Sequence, residues 1–365
     1  MAADPPDHDP KEPSLMHPCL RLFALSALLA AGCDGPGDAA YKDVRPPKPP
    51  PGYHRPTPTV IDASLQAAAR RELTVALRSP DELIRAHALE AIGDVGSADA
   101  GPLVLPLLAD PSLLVRKAAA ITAGRLKLSA AHDALVPMAQ VSPAVPPDVA
   151  ASDANEPVYA LQTRLAAIFA LHQLGDTRFS HLLEETAMDP RPQIRGDTAL
   201  ILEMIGNTSA APILVQMMKH DASENVRLQA AEALWKLGDE RGEEFLIPAT
   251  ISGFASDKMI ALLALAGPRD RRVLKNEFGM LNDDYPEVSL VAARACGQLG
   301  SDAGVGIAEI GAKAGDPMQR SLAAWALGDI GRADSQPVLK KLLADDVPDV
   351  RVTAAAAVLK IGKGG

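Results

Sequence analysis

The stretch VRLQAAEALWKLG, residues 226–238, decides how this chain folds. Val226, Ala230, Ala231, Leu234 and Leu237 recur at steps of three or four residues, the spacing that places apolar side chains on one face of an α-helix. Asp221-Ala-Ser-Glu ahead of it supplies capping chemistry, and Gly238 stops the helix where φ must turn positive. Upstream, SAAPILVQMMKH (209–220) has the same helical spacing, so residues 208–238 read as a two-helix hairpin.

The second half of that hairpin recurs along the chain. It appears as IRAHALEAIGDVG (84–96), VRKAAAITAGRLK (115–127), TRLAAIFALHQLG (163–175), IRGDTALILEMIG (194–206), QRSLAAWALGDIG (319–331) and VRVTAAAAVLKIG (350–362), with Lys127 standing where the others have Gly. VSLVAARACGQLG (288–300) and a copy ending at Gly267 are degenerate. The copies end at intervals of 31, 48, 31, 32, 29, 33, 31 and 31 residues. A fixed period of this size marks stacked supersecondary units, each too small to bury its apolar face alone. Apolar residues are 47% of the chain and aromatic ones only 3%, a composition that suits closely packed helices.

The pattern D-x-x-x-x-[VI]-R-x-x-A-A-x-A-L-x-x-[LI]-G resembles HEAT repeats of the short, PBS-lyase type, over about residues 61–362. The resemblance implies an all-α, right-handed α-solenoid of about nine two-helix repeats at residues 60–365. At roughly 8–10 Å per packed helix, nine repeats laid end to end predict a curved rod of about 80–90 Å. The long interval places an inserted loop at about 142–157, between the two helices of the third repeat.

Residues 1–33 read as an N-terminal extension and a leader. Arg21, the apolar run Leu22–Leu29 and the small residues Ala30-Ala31-Gly32 before Cys33 follow the layout of a signal peptide, with Met16 as its natural start. The ending LLAAGC resembles a bacterial lipobox, which implies lipidation of Cys33 and a bacterial lipoprotein; Ala30 stands where that motif usually has Leu. Residues 34–59, with PPKPPPGYHRPTPT, form a Pro-rich linker that at roughly 3 Å per residue spans up to about 75 Å. These features predict a chain anchored by lipid in the bacterial cell envelope and facing the periplasm. No run of 18 apolar residues is present to cross a bilayer.

Seven arginines form the most regular polar feature: Arg85, Arg116, Arg164, Arg195, Arg227, Arg320 and Arg351. Asp110, Asp189, Asp221 and Asp345 each lie six residues before one of them. The resemblance implies a structural ladder between repeats, and a basic stripe for an acidic ligand is the alternative. The column breaks at Ser256 and Ser289. Trp235 and Trp325 sit within second helices, where they serve either as core or as contacts for a partner. Cys296 reads as a small core residue, and Cys19, Cys33 and Cys296 are too scattered for a disulfide framework or a zinc site.

The chemistry points to binding rather than catalysis. Deoxyhypusine hydroxylase, a HEAT enzyme, carries its metal on His-Glu pairs, and this sequence has no His-Glu dipeptide and no HExxH. Walker A, G-x-S-x-G and strand-linked G-x-G-x-x-G motifs are missing too. No cofactor is expected. A net charge of −10 opposes nucleic acid and favours basic or neutral partners. The expected function is a non-enzymatic, monomeric scaffold that holds an unknown protein or peptide on a concave face built from the second helices. A bilin lyase or isomerase of the same repeat type is the alternative, and a DNA-binding HEAT protein is a third reading that acidity and export both oppose.

Overall fold

The computed structural model describes residues 61–96, 98–140 and 156–362. The leader, the Pro-rich linker, Cys33 and most of the inserted loop lie outside the described residues. Eighteen α-helices and no strand occur among the described residues, arranged as nine consecutive pairs. The first pairs are α1 (Ala63–Ala76) with α2 (Glu82–Val95), α3 (Gly101–Val104) with α4 (Leu113–Arg125), and α5 (His132–Ala139) with α6 (Glu156–Gln173). Next come α7 (Leu182–Thr186) with α8 (Pro192–Ile205), α9 (Ala211–His220) with α10 (Glu224–Lys236), and α11 (Glu240–Ala249) with α12 (Ala255–Ala266). The last are α13 (Leu274–Met280) with α14 (Pro286–Gln298), α15 (Val305–Gly311) with α16 (Pro317–Ile330), and α17 (Gln336–Leu342) with α18 (Pro348–Ile361). The third pair spans the insertion, and α6 begins at Glu156, just inside its expected end.

Each second helix packs against the second helix of the next pair, from α2 through to α18. The series does not end there. Helix α18 packs on α2, and α1 lies against both α18 and α2, as α11, α15 and α17 each lie between two second helices. The expected open rod is therefore a closed ring. Small residues at the contacts between second helices explain the tight curvature. A Cβ built on Gly124 would lie 2.7 Å from the Cα of Ala170, and one on Gly297 would lie 2.7 Å from the backbone nitrogen of Ile330. Inner helices approach closely while outer helices do not, so each repeat turns by about 40° and nine complete the circle.

Closure changes what the inner surface is. In α14, ten consecutive residues from Val288 to Gly297 are buried, and α18 is buried almost continuously from Val350 to Ile361. The second helices are core on all sides rather than the wall of an open concave face, so the expected partner surface is not exposed there. Trp235 and Trp325 share that fate. Trp235 is buried and donates its indole N–H to the carbonyl of Leu265 at 3.0 Å, and Trp325 is buried against His87 and Arg294. Of the two roles open to them, both take the core one.

Two predictions follow the packing. Spin labels at exposed Arg70 on α1 and Lys341 on α17 should report a separation under about 25 Å, that of neighbouring repeats. A separation near that of a nine-repeat rod would overturn closure. Gly297→Ala should cost about 1–3 kcal/mol in urea unfolding, because the added methyl meets backbone rather than a flexible side-chain tip.

Candidate functional site: two charge ladders and the ring seam

The arginine column is an outer ladder built at the turns between first and second helices. Arg85 grips Asp110 of the next repeat with two bonds, Nε to Oδ2 at 2.9 Å and Nη2 to Oδ1 at 2.8 Å. Arg195 holds Asp221, and Arg320 holds Asp345, in the same paired fashion. Each of these aspartates also accepts the backbone N–H two residues on, which caps its own turn. Its carbonyl accepts the arginine six residues on: Arg116 at Asp110, Arg227 at Asp221 and Arg351 at Asp345. The recurring six-residue spacing is thus a backbone contact, and the side-chain pair runs to the following repeat. Arg178 and Arg191, outside the column, take Asp176 and Asp189.

Arg164 differs: the insertion precedes it within its own repeat, and its Nε donates to the carbonyl of Ala139 at the end of α5. The break at Ser256 is only apparent. Lys258, two residues further on, reaches Asp283 at 2.7 Å and carries the rung from another position. At Ser289 the hydroxyl keeps the bond to the carbonyl of its own turn, Asp283, but cannot span to the next repeat. The guanidinium partners hold the Asp110, Asp221 and Asp345 carboxyls below the usual carboxylate range, against the opposing effect of burial.

Sequence reading missed a second, inner ladder. In six of the nine repeats it occupies the position two residues before the terminal glycine, or before Lys127 in its place, on the last turns of the second helices: Asp94, Arg125, Gln173, Lys236, Asp329 and Lys360. Arg125 pairs with Asp94 at 3.0 Å, and Lys360 pairs with Asp329. On the far side of the ring Lys236 sits 2.7 Å from Glu232 and 3.7 Å from Glu203. Asp94 feels Lys360 and Arg294 as well as Arg125, so the alternating charges run across the junction of last and first repeats. Burial nonetheless raises the Asp94 carboxyl above its ordinary value.

That junction, the seam, is joined by several polar contacts. His87 Nδ1 lies 2.5 Å from Asp349 Oδ1, and Arg351 Nε donates to Glu72 Oε1 at 2.7 Å. Gln336 accepts the backbone N–H of Asp62 at 3.2 Å. Glu72 thus closes the outer ladder from within α1. Behind the seam, Arg294 donates from Nε to Asp329 Oδ2 at 2.8 Å, with both side chains 4% exposed. Its guanidinium stacks 4.7 Å from the ring centroid of Trp325, whose other neighbour is the edge-on imidazole of His87 at 5.9 Å. Burial acts to lower the His87 pKa, but Asp349 outweighs it and holds the imidazole above its ordinary value. Burial likewise opposes the charge on Asp329, and Lys360 with Arg294 hold it low.

These groups satisfy one another across repeats and serve cohesion. Among the described residues no group of three or more His, Cys, Asp and Glu side chains is placed to hold a metal ion. Cys296 is buried, its thiol pushed up by burial and by nearby Glu277.

With nine helix pairs and both ladders in place, the sequence family is decided by the match itself: the HEAT repeats family covers residues 71–156, 160–235, 179–266 and 278–360. The chain belongs to the HEAT-repeat family. No curated protein matches the chain. Among solved structures it is similar to the CpcE–CpcF complex of phycocyanin lyase from Nostoc sp. PCC7120, at 19% identity over 71% of this chain and 94% of that one, with a TM-score of 0.33. Human deoxyhypusine hydroxylase is similar at 17% identity over 82% of this HEAT chain and 97% of its own, with a TM-score of 0.36. An engineered protein is similar at 18% identity, 83% and 95% coverage, and a TM-score of 0.31.

Proposed function

We propose that this HEAT protein is a non-catalytic interaction scaffold, tethered to a bacterial membrane through Cys33 and facing the periplasm. The observation that carries the reading is the commitment of the regular charges to cohesion. The outer ladder ties turn to turn, the inner ladder ties helix end to helix end, and the second helices are core. The surfaces left for partners are the outward faces of the first helices and the two edges of the ring. The leader, the lipobox-like LLAAGC and the Pro-rich linker support tethering, with a linker long enough to lift the ring off a bilayer. Two or more acyl chains hold firmly where one binds only marginally.

The test is fractionation and crosslinking from native membranes, with Cys33→Ser as the comparison. The natural chain should sediment with membrane and retain a crosslinked protein partner. The Cys33→Ser chain should be released to the soluble fraction. A variant that stays in the membrane would overturn the tether, and a natural chain that retains no partner would overturn the scaffold.

A further inference from the structure

The scaffold reading leaves open where a partner docks, and the apolar surface of the ring is uneven in a way that answers it. Six large apolar side chains are exposed among the described residues, and four of them fall in three successive repeats. Ile251 and Phe254, 74% and 69% exposed, lie in the turn joining α11 to α12. Tyr285 lies in the turn joining α13 to α14, and Ile310 in the last turn of α15. Because first and second helices alternate in direction around the ring, all these turns sit on one edge. Neighbouring repeats are about 10 Å apart, so the strip is about 20 Å long, close to four turns of helix.

A second observation separates this arc from the rest of the edge. In two of its three repeats, six and seven, the arginine column is replaced by Ser256 and Ser289, while repeat eight keeps Arg320 on Asp345. The rung that remains in those two comes from Lys258, which bonds Asp283 and lies 5.6 Å from the centroid of the Tyr285 ring. Tyr285 is thereby braced across two repeats, while Phe254 projects beyond its turn. In the surrounding segments 250–258, 283–287 and 309–317, Asp257 is buried and Asp283 is paired with Lys258, which leaves four acids, Asp284, Glu287, Glu309 and Asp316, against one lysine, Lys313. Apolar anchors set in an acidic border fit a partner with the opposite border.

We infer that the edge formed by repeats six to eight docks a cationic amphipathic segment of a partner protein, its apolar side chains seated on Ile251, Phe254, Tyr285 and Ile310 and its basic side chains facing Asp284 and Asp316. This inference rests on the scaffold reading and adds the surface and the charge of the partner. Aromatic anchors supply most of the affinity, and the acidic border sets orientation and partner choice.

The test titrates the full chain into two fluorescent 18-residue helical peptides with the same leucine face, one with lysine and one with glutamate on its polar face. Fluorescence anisotropy should show binding of the lysine peptide and at least tenfold weaker binding of the glutamate peptide. Phe254→Ser with Tyr285→Ser should weaken the lysine peptide at least tenfold. Asp284→Asn with Asp316→Asn should weaken it by about threefold to tenfold and reduce its salt dependence. Val75→Ser and Met188→Ser, exposed apolar residues outside this arc, should leave it unchanged.

Equal binding of both peptides, equal loss in the Val75 and Met188 variants, or no binding to either peptide would overturn the inference. So would loss of binding accompanied by a changed circular dichroism spectrum in the Phe254/Tyr285 variant but not in the Asp284/Asp316 variant, if the latter keeps full affinity. Sedimentation with phosphatidylglycerol vesicles that depends on Phe254 and Tyr285, without peptide binding, would assign the strip to a lipid surface instead. None of these outcomes bears on membrane fractionation or native crosslinking, so failure here is distinct from failure of the scaffold.

Discussion

Asp329→Ala is expected to destabilise the ring by about 3–5 kcal/mol in urea unfolding, the largest single-site effect in the molecule. Asp329 is 4% exposed and is the shared acceptor of Arg294 and Lys360. Removing it leaves the Arg294 guanidinium, also 4% exposed, with its charge buried beside Trp325 and no carboxylate. Lys360, 41% exposed, can turn toward Asp94 and water, so most of the loss falls on Arg294. Arg294→Met combined with Asp329→Ala removes both charges and fills the space with an apolar chain. The double variant should then be more stable than Asp329→Ala alone, with a coupling of at least about 1 kcal/mol. Simple additivity of the two single losses would sink the account of this pair as a coupled buried unit.

The same variant tests closure from within. A linear array frays from its terminal repeats, since each end repeat has one neighbour instead of two. In a ring every repeat has two. Trp325 reports the seam and Trp235 reports repeat five on the opposite side, and the chain has only these two tryptophans. In single-tryptophan versions of the natural chain, the two fluorescence transitions should coincide in urea. With Asp329→Ala the Trp325 transition should move to lower urea ahead of Trp235, as the seam becomes a free end. Unfolding that already separates in the natural chain would argue for an open array.

Repeat number, helix pairing and the outer arginine positions were legible because each is a local pattern repeated at about 31 residues. Closure was not, because it depends on the rotation between repeats, set by small differences at contacts such as Gly124 against Ala170. A two-residue shift of the rung, from Ser256 to Lys258, also hid one salt bridge from a reading in strict register. The inner ladder did leave a signal. The residue two before the terminal glycine is charged in GDVG, WKLG, GDIG and LKIG, on what are otherwise apolar helices. A charge on a buried helix needs a partner; Asp94 finds Arg125 and Lys360 finds Asp329, and in the closed ring Asp94 of the first repeat also feels the charge of Lys360 in the last.

Stability should peak at mildly acidic pH and fall toward neutrality, and Glu232 is the main reason. Its side chain is fully buried, and burial pushes its pKa up to about 7 even with Lys236 beside it. A carboxyl raised in the folded state binds more protons folded than unfolded between its two values, so unfolding free energy declines as pH rises through that window. For Glu232 the window runs from 4.5 to about 7, worth roughly 3 kcal/mol at its upper end. Burial raises Glu277 in the same direction, and His87, raised by Asp349, loses its stabilising charge as pH climbs past 6.5. On the acid side the ladder carboxyls Asp110, Asp221 and Asp345 lie below 3.8, and their contribution is lost as pH falls through that range. The two limbs place the maximum at about pH 4–5. Glu232→Gln keeps the shape without the charge and leaves Lys236 its contact with Glu203. Unfolding free energies from urea titrations between pH 4.5 and 7.5 should fall steeply for the natural chain and by roughly 3 kcal/mol less for Glu232→Gln. Parallel declines in the two proteins would mean that Glu232 is ionised in the folded ring throughout, held by Lys236.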